Sequence, residues 1–278
     1  MFGDLHNHSR YSDGSLSVRE LMAVAARLGL PVIALTDHDT MAGWAEARAC
    51  GEEKGICVIP GVEFSTRDPA TGRKAHLLVY DPEKPELLHP YCEWMAQERR
   101  RSAEMMLKKI MEKYPIDRDL VLRCANGCVT IFKQHIMLAL MEAGYADQLY
   151  GPLFRQLFGK DGMAYMPVRY PDVHEVARAA RAAGGTIVLA HPGEYHSLPL
   201  LREMAKAGEI DGAEYWHPRN TPQDQEEIAR VCGEYRLLKT GGTDFHGSHG
   251  DPRYPVGSFV TPEKELRAFL DRVHRDHS

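Results

Sequence analysis

The chain has 278 residues, of which 44% are hydrophobic and 26% are charged, and its formal net charge is −5. These values are typical of one large globular domain, or of one domain that carries an insertion. The acidic balance argues against a polybasic surface for nucleic acid or anionic membranes, and no apolar run approaches the roughly 20 residues of a membrane span.

The first 90 residues alternate helix and strand signals. Ser17 and Glu20 have the spacing of a capping box, and Gly29 marks the end of the helix that they begin. Short apolar runs predict strands at "GDLH", "PVIALTD", "ICVIPG" and "AHLLVYD", and "TMAGWAEARACGEEKG" predicts a second helix.

Residues 91–170 show a different pattern, without an evident buried parallel strand. Helices are predicted at "YCEWMAQERRRSAEMMLKKIMEKY", "TIFKQHIMLALMEAGY" and "YGPLFRQLFG". We interpret this region as a helical insertion domain that covers the functional site and contributes contacts to a substrate.

Strand and helix signals alternate again over residues 171–278. Helices are predicted at "DVHEVARAARAAGG", "LPLLREMAKAG", "PQDQEEIARVCGEY" and "PEKELRAFLDRVHRD". Strands are predicted at "TIVLAHPG", "DGAEYWHP" and "RLLKTGGTD". Repeated strand–helix units with continuous apolar strands imply parallel pairing, and hence an α/β fold with about seven strands. Residues 1–90 and 171–278 would form this domain together, with its site at the carboxyl ends of the strands.

Histidines and acidic residues cluster directly after these apolar runs. The nine candidates are His6, His8, Asp13, His38, Glu63, His76, His191, Asp244 and His246. Only His76 precedes its apolar run, and it would reach the same edge if that strand were offset or antiparallel.

Each candidate alone has an ordinary explanation. His6 and His8 alternate along an extended segment and form a natural chelate, but they could equally be exposed polar residues near a terminus. His38 could be a loop histidine with a hydrogen bond, and His76 and His191 could be core histidines whose hydrogen bonds are satisfied. Glu63 is costly to bury unless it is paired or bound to metal, so it is the best candidate for a bridging carboxylate. Nine such residues at strand ends favour one shared metal site.

Imidazole and carboxylate ligands without sulfur suit Mn²⁺, Zn²⁺ or Fe²⁺. Two or three such ions would hold a bridging hydroxide near neutral pH and neutralise the charge of a phosphoryl group. Since no G-x-G-x-x-G follows a predicted strand, a redox role with a nucleotide cofactor is disfavoured. The ligand set therefore predicts a hydrolase.

The motifs "DLHNHSRYSDG", "ALTDHDT", "GVEFS", "AHP" and "GGTDFHG", in this order, resemble the polymerase and histidinol phosphatase (PHP) family. The resemblance implies a distorted TIM-like (β/α)7 barrel, related to the amidohydrolases, that holds up to three metals. It also implies hydrolysis of phosphate esters, a class that includes histidinol phosphate, nucleotides with a second phosphate, short oligonucleotide ends and cyclic sugar phosphates.

Carried over residue by residue, the resemblance implies three metal sites. His6, His8, Glu63 and Asp244 would hold the first metal. Asp13, His38 and His246 would hold the second, with the attacking hydroxide between the two. His76 and His191 would hold the third, with Glu63 as the bridge.

The insertion resembles the small-molecule phosphoesterase subgroup, in which an "R-P-H" triplet reaches the phosphate. Lys133, Gln134 and His135 occupy this place here, so the histidine is kept and the arginine is a lysine. We predict catalytic roles for Asp244, His246 and His135, and substrate contacts for Lys133, His135, His217 and Arg219. Of the three successive arginines at 99–101, we expect at most one to touch substrate.

Two other function classes remain open. An amidohydrolase-like C–N hydrolase would use the same metals but would not need cationic residues around the pocket. A structural domain that keeps metals for folding predicts a closed ligand shell.

We expect a small phosphate ester as substrate, either a nucleotide or sugar monoester or a cyclic diester, and we expect no membrane or long nucleic acid as partner. The start "MFGDLHNHS" leaves no room for a signal peptide and the scattered cysteines predict no disulfide framework, so we expect a cytoplasmic protein.

Overall fold

A computed structural model describes residues 1–275, in which seven strands form one sheet in chain order. The strands are β1 (Gly3–Asp4), β2 (Val32–Leu35), β3 (Cys57–Arg67), β4 (Lys74–Tyr80), β5 (Thr186–Leu189), β6 (Gly212–Trp216) and β7 (Leu238–Gly241). All neighbouring pairs are parallel except those that involve β4, which runs antiparallel to β3 and β5.

The two edge strands approach each other and nearly close the sheet. The backbone N–H of Leu5 donates to the carbonyl of Gly241 at 3.1 Å, and Asn7 forms a parallel bridge with Phe245. The predicted α/β barrel is therefore confirmed, and a nearly closed barrel brings all its strand ends to one rim.

Ten α-helices accompany the strands in the described residues. They are α1 (Val18–Arg27), α2 (Trp44–Lys54), α3 (His89–Met111), α4 (Arg118–Cys124), α5 (Lys133–Glu142), α6 (Pro152–Phe158), α7 (Val173–Ala182), α8 (Leu198–Ala207), α9 (Pro222–Tyr235) and α10 (Glu263–Arg275). Ser17 and Glu20 form the predicted capping box of α1. The sequence analysis did not predict α4, whose single buried residue, Val121, leaves little apolar periodicity to detect.

Strand β3 differs from its prediction. It does not end at Gly61 but continues to Arg67, so Glu63 lies within the strand and not after it. The reason is the β3–β4 hairpin, which pairs seven residues on each strand from Gly61–Tyr80 to Arg67–Lys74. Because β4 runs antiparallel, its first residues, including His76, lie at the rim where the parallel strands end.

Helices α3 to α6 pack around an apolar cluster of their own. Its buried members all fall between Ala103 and Ala164, whereas the barrel strands and their helices contribute to three other clusters. This packing is compatible with the predicted insertion at 91–170, and the division into two domains remains a prediction.

None of the helices in residues 1–275 carries an apolar stretch long enough to cross a bilayer. All six cysteines are free thiols, as expected from their scattered positions.

Candidate metal centre and substrate cavity

The barrel rim gathers the nine histidines and acids of the sequence analysis. His6 and His8 follow β1, Asp244 and His246 follow β7, and Glu63 projects from β3 between them. Gly242 permits this approach, because a Cβ at that position would overlap the Cβ of His6.

Four of these residues form a first group. The Nε2 atoms of His6 and His8 lie 3.1 and 3.2 Å from Oε2 of Glu63, and 3.5 and 3.1 Å from Oδ1 of Asp244. Ligand atoms of all four lie within 4.8 Å of one another, a spacing that a single cation could join.

A second group adjoins the first. Asp13, His38 and His246 share it with His8, and Nε2 of His246 lies 3.2 Å from Oδ1 of Asp13. Nδ1 of His38 also lies 3.1 Å from Oε2 of Glu63, so the two groups meet at this carboxylate.

The other oxygen of Glu63 faces two further histidines. Its Oε1 lies 2.7 Å from Nδ1 of His76 and 2.8 Å from Nε2 of His191. Glu63 therefore contacts five imidazoles and is fully buried, as a bridging carboxylate would be. His191 also falls into a separate possible ligand group with Glu194 and Asp244.

Many polar atoms of the cluster have no hydrogen-bond partner among the described residues. They include Nε2 of His6, both ring nitrogens of His8, Nδ1 of His38, Oε2 of Glu63, Oδ1 of Asp13 and Oδ1 of Asp244. Buried polar atoms are normally satisfied, because each one left alone costs about 1–3 kcal/mol. Convergent unsatisfied nitrogen and oxygen atoms fit divalent cations.

The carboxylates of the cluster are held in the ionised state. Burial would raise the pKa of Glu63, but nearby histidines, with His38 and His6 foremost, hold the pKa well below its usual value. The pKa values of Asp13 and Asp244 are likewise lowered against the effect of burial, mainly by His246 and His6 respectively. Ionised carboxylates are the form that binds cations.

Three residues at the rim adopt left-handed backbone conformations. Their φ angles are +54° for Asp39, +25° for His191 and +55° for Asp244. Such conformations cost of the order of 1–3 kcal/mol each and persist only where the surroundings impose them. Asp39 is held by Arg99, whose Nη2 lies 2.5 Å from its Oδ2, and by the backbone N–H of Ser65.

Two cavities open from the cluster. The larger has a volume of about 610 Å³, and Tyr150, Tyr254 and Arg219 are among the residues that line it. The smaller measures about 280 Å³ and lies towards the helices of the 91–170 region. Both reach Asp13, His38 and His76, so a molecule bound at the cluster could extend into either one.

The smaller cavity is strongly cationic, and we call it the cationic lobe. Arg67, Lys74, Arg99 and Lys133 line it. Arg99 pairs with Asp39, but among the described residues Arg67, Lys74 and Lys133 have no carboxylate within ion-pair distance. Burial and then the nearby charges of Lys74 and Arg99 lower the pKa of Lys133 to about 8. Unpaired cations around a concave surface provide a site for an anion.

The four predicted substrate contacts are distributed unevenly. Lys133 lines the cationic lobe and Arg219 lines the larger cavity, whereas His135 and His217 line neither. His135 is buried in the first turn of α5, where its Nδ1 accepts the N–H of Phe132 at 3.2 Å. His217 packs behind the cluster, with Nε2 3.6 Å from Oδ2 of Asp244. Their positions therefore do not support direct substrate contacts.

Sequence reasoning missed Glu214 and did not single out Arg99 within the arginine run, although both residues shape the site. Glu214 is fully buried in β6 against His6, and its signal was a charged residue inside the apolar run "DGAEYWHP". Arg99 is the one residue of the arginine run that reaches the cationic lobe. Nothing local distinguishes it from Arg100 and Arg101, because only the packing of α3 decides which arginine faces the barrel.

Comparisons with known proteins agree on one family. A model of the PHP domain matches residues 4–151. The phosphoribosyl 1,2-cyclic phosphate 1,2-diphosphodiesterase of Eggerthella lenta is 35% identical, over 94% of this chain and 100% of the relative. A 5'-3' exoribonuclease of Haemophilus influenzae is 32% identical, over 87% of this chain and 89% of the relative. The solved structure of a Bifidobacterium adolescentis protein, assigned as a metal-dependent phosphoesterase, has a TM-score of 0.88 at 32% identity and covers 97% of this chain and 96% of that one.

Proposed function

The chain belongs to the PHP family of metal-dependent phosphoesterases and is a hydrolase of phosphoester bonds, and from this premise we propose that its substrate is a small phosphate ester with a second anionic group. The reacting phosphate would lie at the cluster, and the second anion would lie in the cationic lobe.

The observation that carries the proposal is the juxtaposition of the two sites. Asp13, His38 and His76 belong to the cluster and also line the lobe that contains Arg67, Lys74 and Lys133. A molecule with anionic groups at both ends would therefore engage both sites at once. The name of the Eggerthella relative describes such a molecule, because a phosphoribosyl cyclic phosphate carries two phosphoryl groups.

We propose that two or three divalent cations bind the cluster. His6, His8, Glu63 and Asp244 would hold the first, Asp13, His38 and His246 the second, and Glu63, His76 and His191 the third. Such cations lower the pKa of water towards neutrality and offset the charge of a phosphoryl group.

The chain's own residues orient the substrate and the ligands. Lys133 and Lys74 would attract the second anion, and Arg219 at the wall of the larger cavity would limit the orientation of the leaving group. Gln134 donates to Oδ2 of Asp13 at 3.1 Å, which leaves Oδ1 free to face the cluster. The insertion proposed at 91–170 supplies the wall of the lobe and would exclude bulk water.

The cationic lobe also weighs against the C–N hydrolase alternative. A neutral amide or lactone has no group that would compensate for the mutual repulsion of Lys74, Arg99 and Lys133. A phosphorylated RNA end has the necessary charge, and one relative is named an exoribonuclease, so short 5'-phosphorylated oligonucleotides belong in the test.

The test compares matched substrates with the protein reconstituted with Mn²⁺. Ribose 1,2-cyclic phosphate would be assayed with and without a 5-phosphate, and a nucleoside 3',5'-bisphosphate against the 3'-monophosphate. A charge-assisted contact contributes about 1.5–3 kcal/mol, so we expect the doubly charged member to have a kcat/KM at least about tenfold higher. Equal values for both members of each pair would refute the role of the lobe.

Asp244→Asn provides the control for the cluster. This substitution keeps the side-chain volume but removes a carboxylate of the proposed first metal site, so hydrolysis should fall by more than about 100-fold while the fold survives. If the variant retained near-normal turnover with its metals bound, the proposed centre would be wrong. If the wild-type protein released phosphate only from short oligonucleotides, RNA ends would instead be identified as the substrate.

A further inference from the structure

Glu214 is a fully buried carboxylate whose two oxygens are both engaged. It projects from the middle of β6, where its Oε1 lies 3.1 Å from Nδ1 of His6. Its Oε2 accepts the backbone N–H of His191 at 2.9 Å. An ionised carboxylate away from water is costly unless it is paired, and both of these partners belong to the candidate metal centre.

The contact with His6 determines which ring nitrogen faces the cluster. A carboxylate can only accept, so Nδ1 of His6 must carry a proton. In the neutral form that binds metal, the ring then has its lone pair on Nε2, which lies 3.1 Å from Glu63 and 3.5 Å from Asp244. Carboxylates that accept from the second nitrogen of a metal-binding histidine also hold the ring orientation and raise its basicity.

The second oxygen fixes the strand end that carries His191. That residue has a strained φ of +25°, and its Nε2 lies 2.8 Å from Glu63. The bond from its N–H to Glu214 therefore holds the backbone at the point where the chain must turn the ring inwards. One side chain thus connects β6 with the ends of β1 and β5.

We propose that Glu214 is a positioning residue that sets the cation affinity of the centre through His6 and His191. This inference rests on the cation binding proposed above. A positioning residue changes the affinity for cations, whereas a buried acid with a purely structural role would only keep the strands together.

Asp211 offers a matched control, because it also connects β6 with β5. It lies just before β6 and its Oδ2 accepts the N–H of Ile187 at 2.9 Å, at the opposite end of β5. Arg181 and Arg272 complete its contacts at 2.8 Å, and no candidate ligand touches it among the described residues. Asp211→Asn should therefore weaken the fold without altering the centre.

The experiment measures Mn²⁺ affinity of the full chain by calorimetric titration, alongside the visible spectrum of bound Co²⁺. Losing a carboxylate behind a metal-binding histidine typically lowers metal affinity by about 10- to 100-fold, which is the loss expected for Glu214→Gln. Its Co²⁺ spectrum should also change, whereas Asp211→Asn should match the wild type in both readouts.

Unchanged affinity in Glu214→Gln, or equal losses in both variants, would overturn the proposal. If Glu214→Gln does not fold, Glu214→Asp replaces it, since the shorter carboxylate cannot span both contacts and must also weaken binding. Neither readout uses a phosphate ester, so failure of this inference remains distinguishable from failure of the proposed substrate class.

Discussion

Lys133 departs furthest from the behaviour of an ordinary lysine. It packs over the rings of Phe158 and Tyr165 and has no carboxylate partner among the described residues. Burial, followed by the charges of Lys74 and Arg99, lowers its pKa to about 8. Its charge therefore changes at a pH where a surface lysine would stay protonated.

We predict that substrate binding weakens as pH rises through about 8. Below that value the ammonium group attracts the second anion, and above it the neutral amine does not. KM for a doubly charged substrate should rise about tenfold once the amine is neutral, the loss expected for a charge-assisted contact. In Lys133→Arg the guanidinium stays charged throughout, so KM should remain flat over the same range.

Lys113→Arg is the control for this pH profile. Lys113 also packs against a tyrosine ring, that of Tyr114, but it lines neither cavity at the cluster. A wild-type KM that does not change between pH 7 and pH 9, or a rise that persists in Lys133→Arg, would exclude Lys133 as the source.

At the scale of elements, the segment between α6 and α7 is tied to one face of α3. Glu98 accepts from the guanidinium of Arg169 at 2.7 Å, and Trp94 donates to the carbonyl of Arg169 at 3.1 Å. Arg101 donates to the carbonyl of Pro167 at 3.0 Å. These contacts hold the wall of the cationic lobe, so the lobe depends on a helix that lies outside the barrel.

We predict that Glu98→Gln loosens this wall. The substitution replaces charge-assisted hydrogen bonds to Arg169 with neutral ones and should cost about 1–2 kcal/mol. KM for a doubly charged substrate should therefore rise several-fold while kcat changes little, because the cluster itself is untouched. Steady-state kinetics and limited proteolysis of the 159–171 segment would measure both effects.

Glu104→Gln controls for charge loss on the same helix. Glu104 pairs with Arg118 at 3.4 Å, and both side chains are largely exposed, so the pair should contribute little to stability. The interpretation of the wall would be rejected if Glu98→Gln left KM unchanged, or if Glu104→Gln raised it equally.

At the scale of the whole molecule, the candidate centre joins the ends of most barrel strands. Three ionised carboxylates, Asp13, Glu63 and Asp244, converge there within a buried cluster of imidazoles. Cations bound at this point would link β1, β3 and β7 and relieve the repulsion among the carboxylates. Metal binding and global stability should therefore be coupled.

We predict that Mn²⁺ raises the melting temperature substantially. A ligand at 100 times its Kd adds about 2.7 kcal/mol. For a chain of this size that gain corresponds to an increase of roughly 5–10 °C. Differential scanning calorimetry with chelator and with Mn²⁺ would measure the shift. Asp244→Asn should show a clearly smaller increase, and an equal increase would mean that the metal binds elsewhere.

Much of this architecture was predictable from local pattern. Helix α9 begins at Pro222 and ends at Tyr235 as predicted, because its cap and its apolar period are both encoded nearby. The extension of β3 was not predicted, and the direction of β4 was left open between an offset strand and the antiparallel strand that is found, since pairing between strands depends on distant partners. His135 illustrates the same limit, because the sequence did not show that this histidine accepts the backbone N–H of Phe132 in the first turn of its own helix.

By itself, the sequence determined the alternation of strands and helices, the family and the chemical type of the site. Those properties follow from hydrophobic period, capping residues and short motifs, all of which are local. Tertiary structure alone decided that Glu63 contacts five histidines, that Glu214 stands behind His6, and that Arg99 faces the lobe. Those contacts join residues far apart in the chain, and their geometry depends on how the barrel closes.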